Sequence, residues 1–370
     1  MKLKIALSVA NAVDVLTVGL VLLTSLLSCS SDPLTGPTTP GDYVVYFECV
    51  SPVRGYFGYH TVTGKIDTLR TPDIAIWGPI ACSPDGHHLY IPAGDSVIVV
   101  NTQTQQVEDE IPYSAQYGLT PSPDGRYLAL HGRWLRIVRL SDHTVIYQDA
   151  ASLTFRSAFS WDSSHLYYLR VDPPSSVFRV DLEHGNEVTE MTFPVSMVTR
   201  VLLSRDESKL FLQCEEPQAK SFVVYDRILD SVLFYHTYAG ESSDIVITPD
   251  ERYVFISETG DSLNEEGSGH LAVFDTDANR IDRLIPTAGI LNGTNPEGLF
   301  LWERAVTPDG LWLVASDGAY SSEFVRLNIA DMKFDGYVQM TASDQLVSFT
   351  CQALPFDGHL GKLPQWATTP

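Results

Sequence analysis

Six residues before each of seven recurring aspartates the chain reads Pro79, Gly118, Arg156, Arg200, Asp244, Glu303 and Cys351, with Arg304 beside the glutamate. If these positions share one level of a structure, nearly half of that level is small and the rest is charged. Two arginines followed by two acids suit three kinds of chemistry. Guanidinium groups could clamp a carboxylate or a sugar. Asp244 and Glu303 could hold a divalent metal that activates water, although the flanking arginines oppose a bound cation and no third or fourth ligand can be picked out by spacing. The four charges could equally neutralise one another as a structural ion-pair network.

Other chemistries leave fainter traces. The chain contains no G-x-S-x-G, no H-E-x-x-H and no P-loop, and its histidines are scattered: His87 and His88 beside a turn, His236 on a strand, His131 and His270 at loops. His131-Gly132-Arg133-Trp134 reads as a hairpin turn, with anion binding or sugar stacking as the alternative. Residues 258–270 (ETGDSLNEEGSGH) offer oxygen ligands of the kind calcium takes but lack the EF-hand spacing, and residues 286–298 form a second long insertion. Cys49, Cys82, Cys214 and Cys351 form no C-x-x-C pair, which disfavours a zinc site or a c-type haem. A formal net charge of −22 opposes contact with nucleic acid or anionic lipid through general electrostatics. The expectation is a binding protein rather than an enzyme, without a required cofactor, and with calcium as the one ion to test.

The elements that must position these residues repeat. Ser83-Pro84-Asp85-Gly86 returns as Ser122-Pro123-Asp124-Gly125, Ser160-Trp161-Asp162-Ser163, Ser204-Arg205-Asp206-Glu207, Thr248-Pro249-Asp250-Glu251 and Thr307-Pro308-Asp309-Gly310, and, with one extra residue, as Leu354-Pro355-Phe356-Asp357-Gly358. The aspartates are spaced by 39, 38, 44, 44, 59 and 48 residues. Proline presets φ, aspartate caps the following amides, and glycine accepts positive φ, so each tetrad is a tight turn between two strands. Residues 80–113 show the whole unit: four short strands and three turns, which cannot bury both faces alone. A second strand, aspartate and polar turn follow in several copies, as in Val223-Val224-Tyr225-Asp226 and Ala272-Val273-Phe274-Asp275. The aromatic side chains after the tetrads (Tyr90, Tyr127, Tyr167, Phe211, Tyr253 and Trp312) are expected to be core packing between sheets.

Tetrads paired with "V-F-D-T" strands make residues 43–358 resemble the bacterial YVTN and YncE-like β-propeller repeats, related in style to TolB and WD40-like propellers, while the absence of a G-H…W-D pair sets the chain apart from eukaryotic-type WD40 repeats. The resemblance implies a ring of four-stranded blades around a channel lined by the innermost strands. It spans binding proteins, surface proteins and a few enzymes, so it leaves the activity open. The ends complement each other. Residues 42–71 supply three strands without a tetrad, and residues 346–353 supply an inner strand with too little chain after it. The expected fold is therefore all-β, a seven-bladed β-propeller over residues 42–360 whose C-terminal strand closes the first blade, followed by a tail at 361–370. Closure sets Cys49 near Cys351, a disulfide if the compartment is oxidising; the alternatives are Cys82 with Cys351, or buried thiols.

The start resembles a bacterial lipoprotein signal peptide: Lys2 and Lys4, an apolar run interrupted by Asp14, then Leu26-Leu27-Ser28-Cys29. It implies removal of residues 1–28, acylation of Cys29, and a Pro/Thr/Ser-rich tether over 29–41. The address that follows is the cell envelope, lipid-anchored at the outer membrane, periplasm or cell surface. Contact with the membrane would be through the anchor alone. The expected partner is a protein or a small-molecule or sugar ligand on the face with Arg156, Arg200, Asp244, Glu303 and Arg304. The enzymatic alternative is a lactonase-type hydrolase with a divalent metal in the channel.

Overall fold

The computed structural model describes residues 28–31, 43–51, 55–61, 66–69, 80–150, 156–170, 176–195, 197–216, 219–238, 245–258, 269–287, 301–317, 323–339, 341–342, 345–346 and 348–350. The described residues form β-strands and turns. Seven antiparallel sheets follow one another along the chain, the architecture of a seven-bladed β-propeller. Blades two to seven each take four consecutive strands, over residues 81–111, 118–149, 157–192, 197–238, 245–286 and 301–339. We letter the strands a to d from the innermost outward.

The first blade draws on both ends of the chain. Tyr43–Ser51, Gly55–His60 and Ile66–Leu69 form its b, c and d strands, and Ser348–Thr350 pairs with Tyr43–Ser51 through Glu48↔Thr350 and Cys49↔Phe349. Ser28–Ser31 lies along the other half of the same edge, with Cys29 opposite Val45. The closing strand expected from the complementary ends is thus present, preceded by a short hairpin of Thr341–Ala342 and Gln345–Leu346. The register sets Cys49 against Phe349. Cys351 lies outside the described residues, as do the last tetrad at Asp357, residues 1–27 and the tail at 361–370. Between the last blade and the first, Arg326 donates a hydrogen bond to the backbone carbonyl of Thr61. No helix among the described residues is long and apolar enough to cross a membrane.

Alternation along each strand sends side chains to both faces of a sheet, and in the ring each face meets a neighbouring blade. The core is accordingly a chain of inter-blade clusters. Leu89, Val97 and Val100 of blade two share one with Val44 and Tyr56 of blade one and Leu128 of blade three, and Phe222 of blade five meets Phe274 of blade six edge-on at 5.2 Å. The aromatics after the tetrads divide by position. Tyr90, Tyr167 and Phe211, five residues past the aspartate, are buried in this core. Tyr127, Tyr253 and Trp312, three residues past it, sit half-buried at the rim, each beneath an arginine: Arg126, Arg252 and Arg326. The expectation of core packing holds fully for the first group, and Tyr127 and Tyr253 of the second still pack against the core clusters from its rim.

Candidate functional site

Six tetrads fold identically. The backbone N–H of the fourth residue closes a turn on the first residue's carbonyl at 2.8–2.9 Å. The Ser or Thr hydroxyl donates to the aspartate at 2.5–2.7 Å and accepts the N–H five residues on at 2.8–3.0 Å. The aspartate accepts a further backbone N–H, two residues on, at 2.9–3.0 Å. The fourth position has positive φ throughout: 74°, 70° and 71° at Gly86, Gly125 and Gly310, and 62°, 57° and 61° at Ser163, Glu207 and Glu251. In the second turn of blades four, five and six, Asp181, Asp226 and Asp275 each accept two amides. These repeated carboxylates are therefore turn caps. Because neighbouring strands are antiparallel, both kinds of turn share one end of every blade, and the b-to-c and d-to-a connections share the other.

On that other face, strand b of blade three ends at His131, opposite Gly118. His131 is 1% exposed and lines no surface; in the 131–134 hairpin Arg133 and Trp134 are the exposed side chains, with Arg136 over the Trp134 ring at 4.8 Å. His131 Nε2 lies 2.9 Å from Ser157 Oγ and 3.2 Å from Thr120 Oγ1, and Ser157 donates its own proton to Thr120 at 3.1 Å. Nδ1 is buried without a hydrogen-bond partner, so no carboxylate orients the ring as a base. An activated nucleophile would give its proton to an imidazole held by a third group, whereas Ser157 gives its proton to Thr120. Burial, with the Arg156 charge adding to it, pushes the His131 pKa down to about 3.

Arg156 stands immediately before strand a of blade four and is half-buried. Arg200 lies on strand a of blade five, opposite Gln213, and is 3% exposed. The two arginines occupy the same repeat position in adjacent blades, and of the two Arg156 is the more exposed. Glu303 and Arg304 fall on strand a of blade seven, Leu301–Val306, where Arg304 pairs with Ala315. Their side chains lie outside the described residues, as does Asp244. The centres of both long insertions, residues 259–268 and 288–300, are outside them too. At the first insertion's start, Glu258 meets His236 Nε2 at 2.8 Å.

The opposite face carries two features that spacing did not mark. An open groove of about 1330 Å³ runs across blades two to four, bordered by His88, Glu108, Asp109, Arg139, His143 and Trp161. Its charges pair locally, His88 with Glu108 at 3.2 Å and His143 with Asp109 at 3.0 Å. Farther round, Asp162, His165 and Glu207 bring ligand-type atoms within 4.8 Å of one another. Those atoms are already engaged. Asp162 Oδ1 caps Ser160 and Ser164, Tyr167 donates to Glu207 at 2.5 Å, and His165 lies 2.8 Å from Ser164 Oγ and 3.1 Å from Arg179. The arrangement is a polar clasp between blades four and five. Both features join different blades, so no single repeat announces them.

Solved structures share the ring. A chain of Kuenenia stuttgartiensis hydrazine synthase is similar over 70% of this chain and 79% of its own, with a TM-score of 0.60 and 19% identity. A chain of the mitotic checkpoint complex is similar over 80% of this chain and 87% of its own, with a TM-score of 0.61 and 13% identity. No protein-family model matches the sequence, and no curated protein matches it. At these identities the likeness defines the class, a β-propeller.

Proposed function

We propose that the chain is a YVTN/YncE-like, lipid-anchored propeller of the cell envelope that binds a carboxylate-bearing ligand, a protein segment or a sugar acid, on the face of the b-to-c and d-to-a connections. One observation carries this reading: Arg156 stands half-buried immediately before the innermost strand of blade four, in a chain whose net charge is −22. Arginine presents a planar fork that matches a carboxylate, and a cationic spot in an acidic protein favours an anionic group in one place. His131 is neutral beside Arg156 and adds no second cation. The mitotic checkpoint complex is an assembly, which supports reading a ring of this shape as an interaction module. The lactonase-type alternative depends on Asp244 and Glu303.

The test is calorimetric titration of the purified protein with galacturonate and with short peptides ending in a free carboxylate, beside amidated controls. Saturable binding that needs the carboxylate and falls at least tenfold in Arg156→Gln supports the reading. No binding, or binding indifferent to Arg156→Gln, defeats it. Stoichiometric metal lost in an Asp244→Ala, Glu303→Ala variant would bring the hydrolase forward. The address is tested separately, by metabolic lipid labelling and fractionation of Cys29→Ser. Equal labelling of variant and parent would remove the anchor.

A further inference from the structure

An outermost strand presents a row of backbone N–H and C=O groups, and proteins blunt such edges with charge, proline or shortness. Six of the outer strands here do so. Val107–Ile111 has three carboxylates, Glu187–Thr192 two, Arg280–Pro286 three charges and a final proline, and Lys333–Gln339 a lysine, an aspartate and a glycine. Ile66–Leu69 has four residues including Asp67, and Val145–Asp149 has five and ends in a carboxylate. Blade five differs. Its outer strand, Ser231–Tyr238, runs eight residues as SVLFYHTY, with no Asp, Glu, Lys, Arg, Pro or Gly.

The inward side of this strand is committed to the core: Phe234 packs on Phe222 and Phe274, with ring centroids 6.4 and 4.9 Å apart. The other side is open. Val232, Leu233 and Tyr235 are 41, 36 and 49% exposed, and Ile228 and Leu229 in the preceding turn 74 and 69%. These five are half of the ten large exposed hydrophobics among the described residues. Asp226 caps the amides of Ile228 and Leu229, so a rigid turn holds both side chains out.

We propose that this edge is a docking site for an extended segment of a partner protein, which adds to blade five as a fifth strand, apolar at alternate residues and flanked by Lys or Arg. Strand addition draws affinity from main-chain hydrogen bonds and selectivity from alternate side chains, for which Val232, Leu233 and Tyr235 supply the apolar contacts. The basic flanks follow from charge: the chain carries −22, Asp226 and Asp230 bracket the turn at one end of the edge, and Glu258 pairs with His236 toward the other. A second copy of this chain fits less well. The exposed segment is about ten residues, where a stable interface takes roughly 20–30 a side, and a second copy brings the same net charge. The site lies on the circumference, away from Arg156 and Arg200, so the channel-face reading and this one fail separately.

The probe is a fluorescein-labelled peptide KKTVTVYVTKK, titrated into the purified protein by anisotropy, with hydrogen exchange followed by mass spectrometry. Saturable binding, slowed exchange over residues 231–238, at least tenfold weakening in a Val232→Lys, Tyr235→Lys variant, and weaker binding of the glutamate-flanked peptide are expected. No saturable binding, protection elsewhere, or binding unchanged in the variant would overturn the proposal. So would a concentration-dependent dimer in sedimentation that the same variant abolishes, because the occupant would then be a second copy. If the variant does not fold, the peptide N-methylated at its central residues decides the matter on the unaltered protein, since strand addition requires that this peptide lose its binding.

Discussion

The two faces of the ring are made by opposite rules. On the tetrad face one hydrogen-bond pattern is built six times, with the same atoms and the same positive φ. On the other face no pattern runs round the ring: blade three has a buried histidine and an exposed tryptophan, blade four a half-buried arginine, blade five a buried one, and the two long insertions belong to blade six and to the crossing that follows it. Repetition therefore reports what every blade needs in order to fold, and the side chains that could recognise something specific lie where repetition stops. Aspartate is the clearest case. It is abundant and regularly spaced, yet in the tetrads it is a turn cap and not a reagent.

Several measurements would break or sharpen this contrast. The largest effect is expected from truncation after Met340, which removes Ser348–Thr350 and leaves Tyr43–Ser51 short of its partner. Cooperative unfolding should be lost, or its midpoint should fall by about 10 °C, as expected for several kcal/mol in a domain of this size; a truncated chain as stable as the parent would refute closure. Next, Ser122→Ala removes a hydroxyl that donates to Asp124 and accepts from Tyr127 N–H in a fully buried position. Loss of both bonds should cost about 2 kcal/mol in chemical denaturation. The opposite sign is expected for Glu251→Gly. Residue 251 holds φ at 61°, its carboxyl oxygen Oε1 is buried without a partner, and its pKa is raised by burial. Glycine there should stabilise by about 1 kcal/mol.

Acid titration probes the same turns. Burial alone would raise the Asp162 pKa, but hydrogen bonds from Ser164 and Ser160 outweigh it and hold it at about 2, below the ordinary 3.8. A carboxylate with a depressed folded value contributes stability that is complete above the ordinary value and is lost as pH falls through the folded one. Melting temperature should therefore decline between about pH 4 and pH 2, and less steeply in Asp162→Asn; identical slopes would dismiss the cap as a source of acid sensitivity. Asp85 and Asp206 shift the same way, while burial raises Asp309 and opposes them. The smallest effect belongs to the variable face. Arg156→Gln should change stability by no more than about 0.5 kcal/mol, while NMR shows the His131 pKa rising from about 3 as the neighbouring charge is removed.

The fold was legible because its signals are local. Pro, Asp and Gly in a tetrad, and Asp after an apolar strand, act within five residues, so a linear reading finds them seven times. Closure was also legible, because blade one lacks a strand that residues 346–353 supply. Ser348–Thr350 is the described part of that pairing, and Ser28–Ser31, within the segment read as leader and tether, shares its edge. Contacts between blades were not legible. His131 looked like a loop residue and is buried because Ser157, 26 residues on, comes from the next blade. The groove by His88 and His143, and the clasp around His165, arise in the same way. Counting from the aspartates set Arg200 on an innermost strand and Arg156 immediately before the neighbouring blade's, but could not tell which of the two is buried. The Cys49–Cys351 disulfide stays a proposal, to be decided by mass spectrometry of non-reduced peptides.

The pairing of Tyr43–Ser51 with Ser348–Thr350 also sets a timetable. During synthesis from the N-terminus, blades two to seven can each complete their own sheet as their strands emerge, but the first blade must wait nearly 300 residues for its innermost partner. Its open edge is then the last part of the ring to be satisfied, and the final joining step is a long-range closure whose entropic cost grows only slowly with the length of the loop. Nothing locks the ring until that last strand has been made.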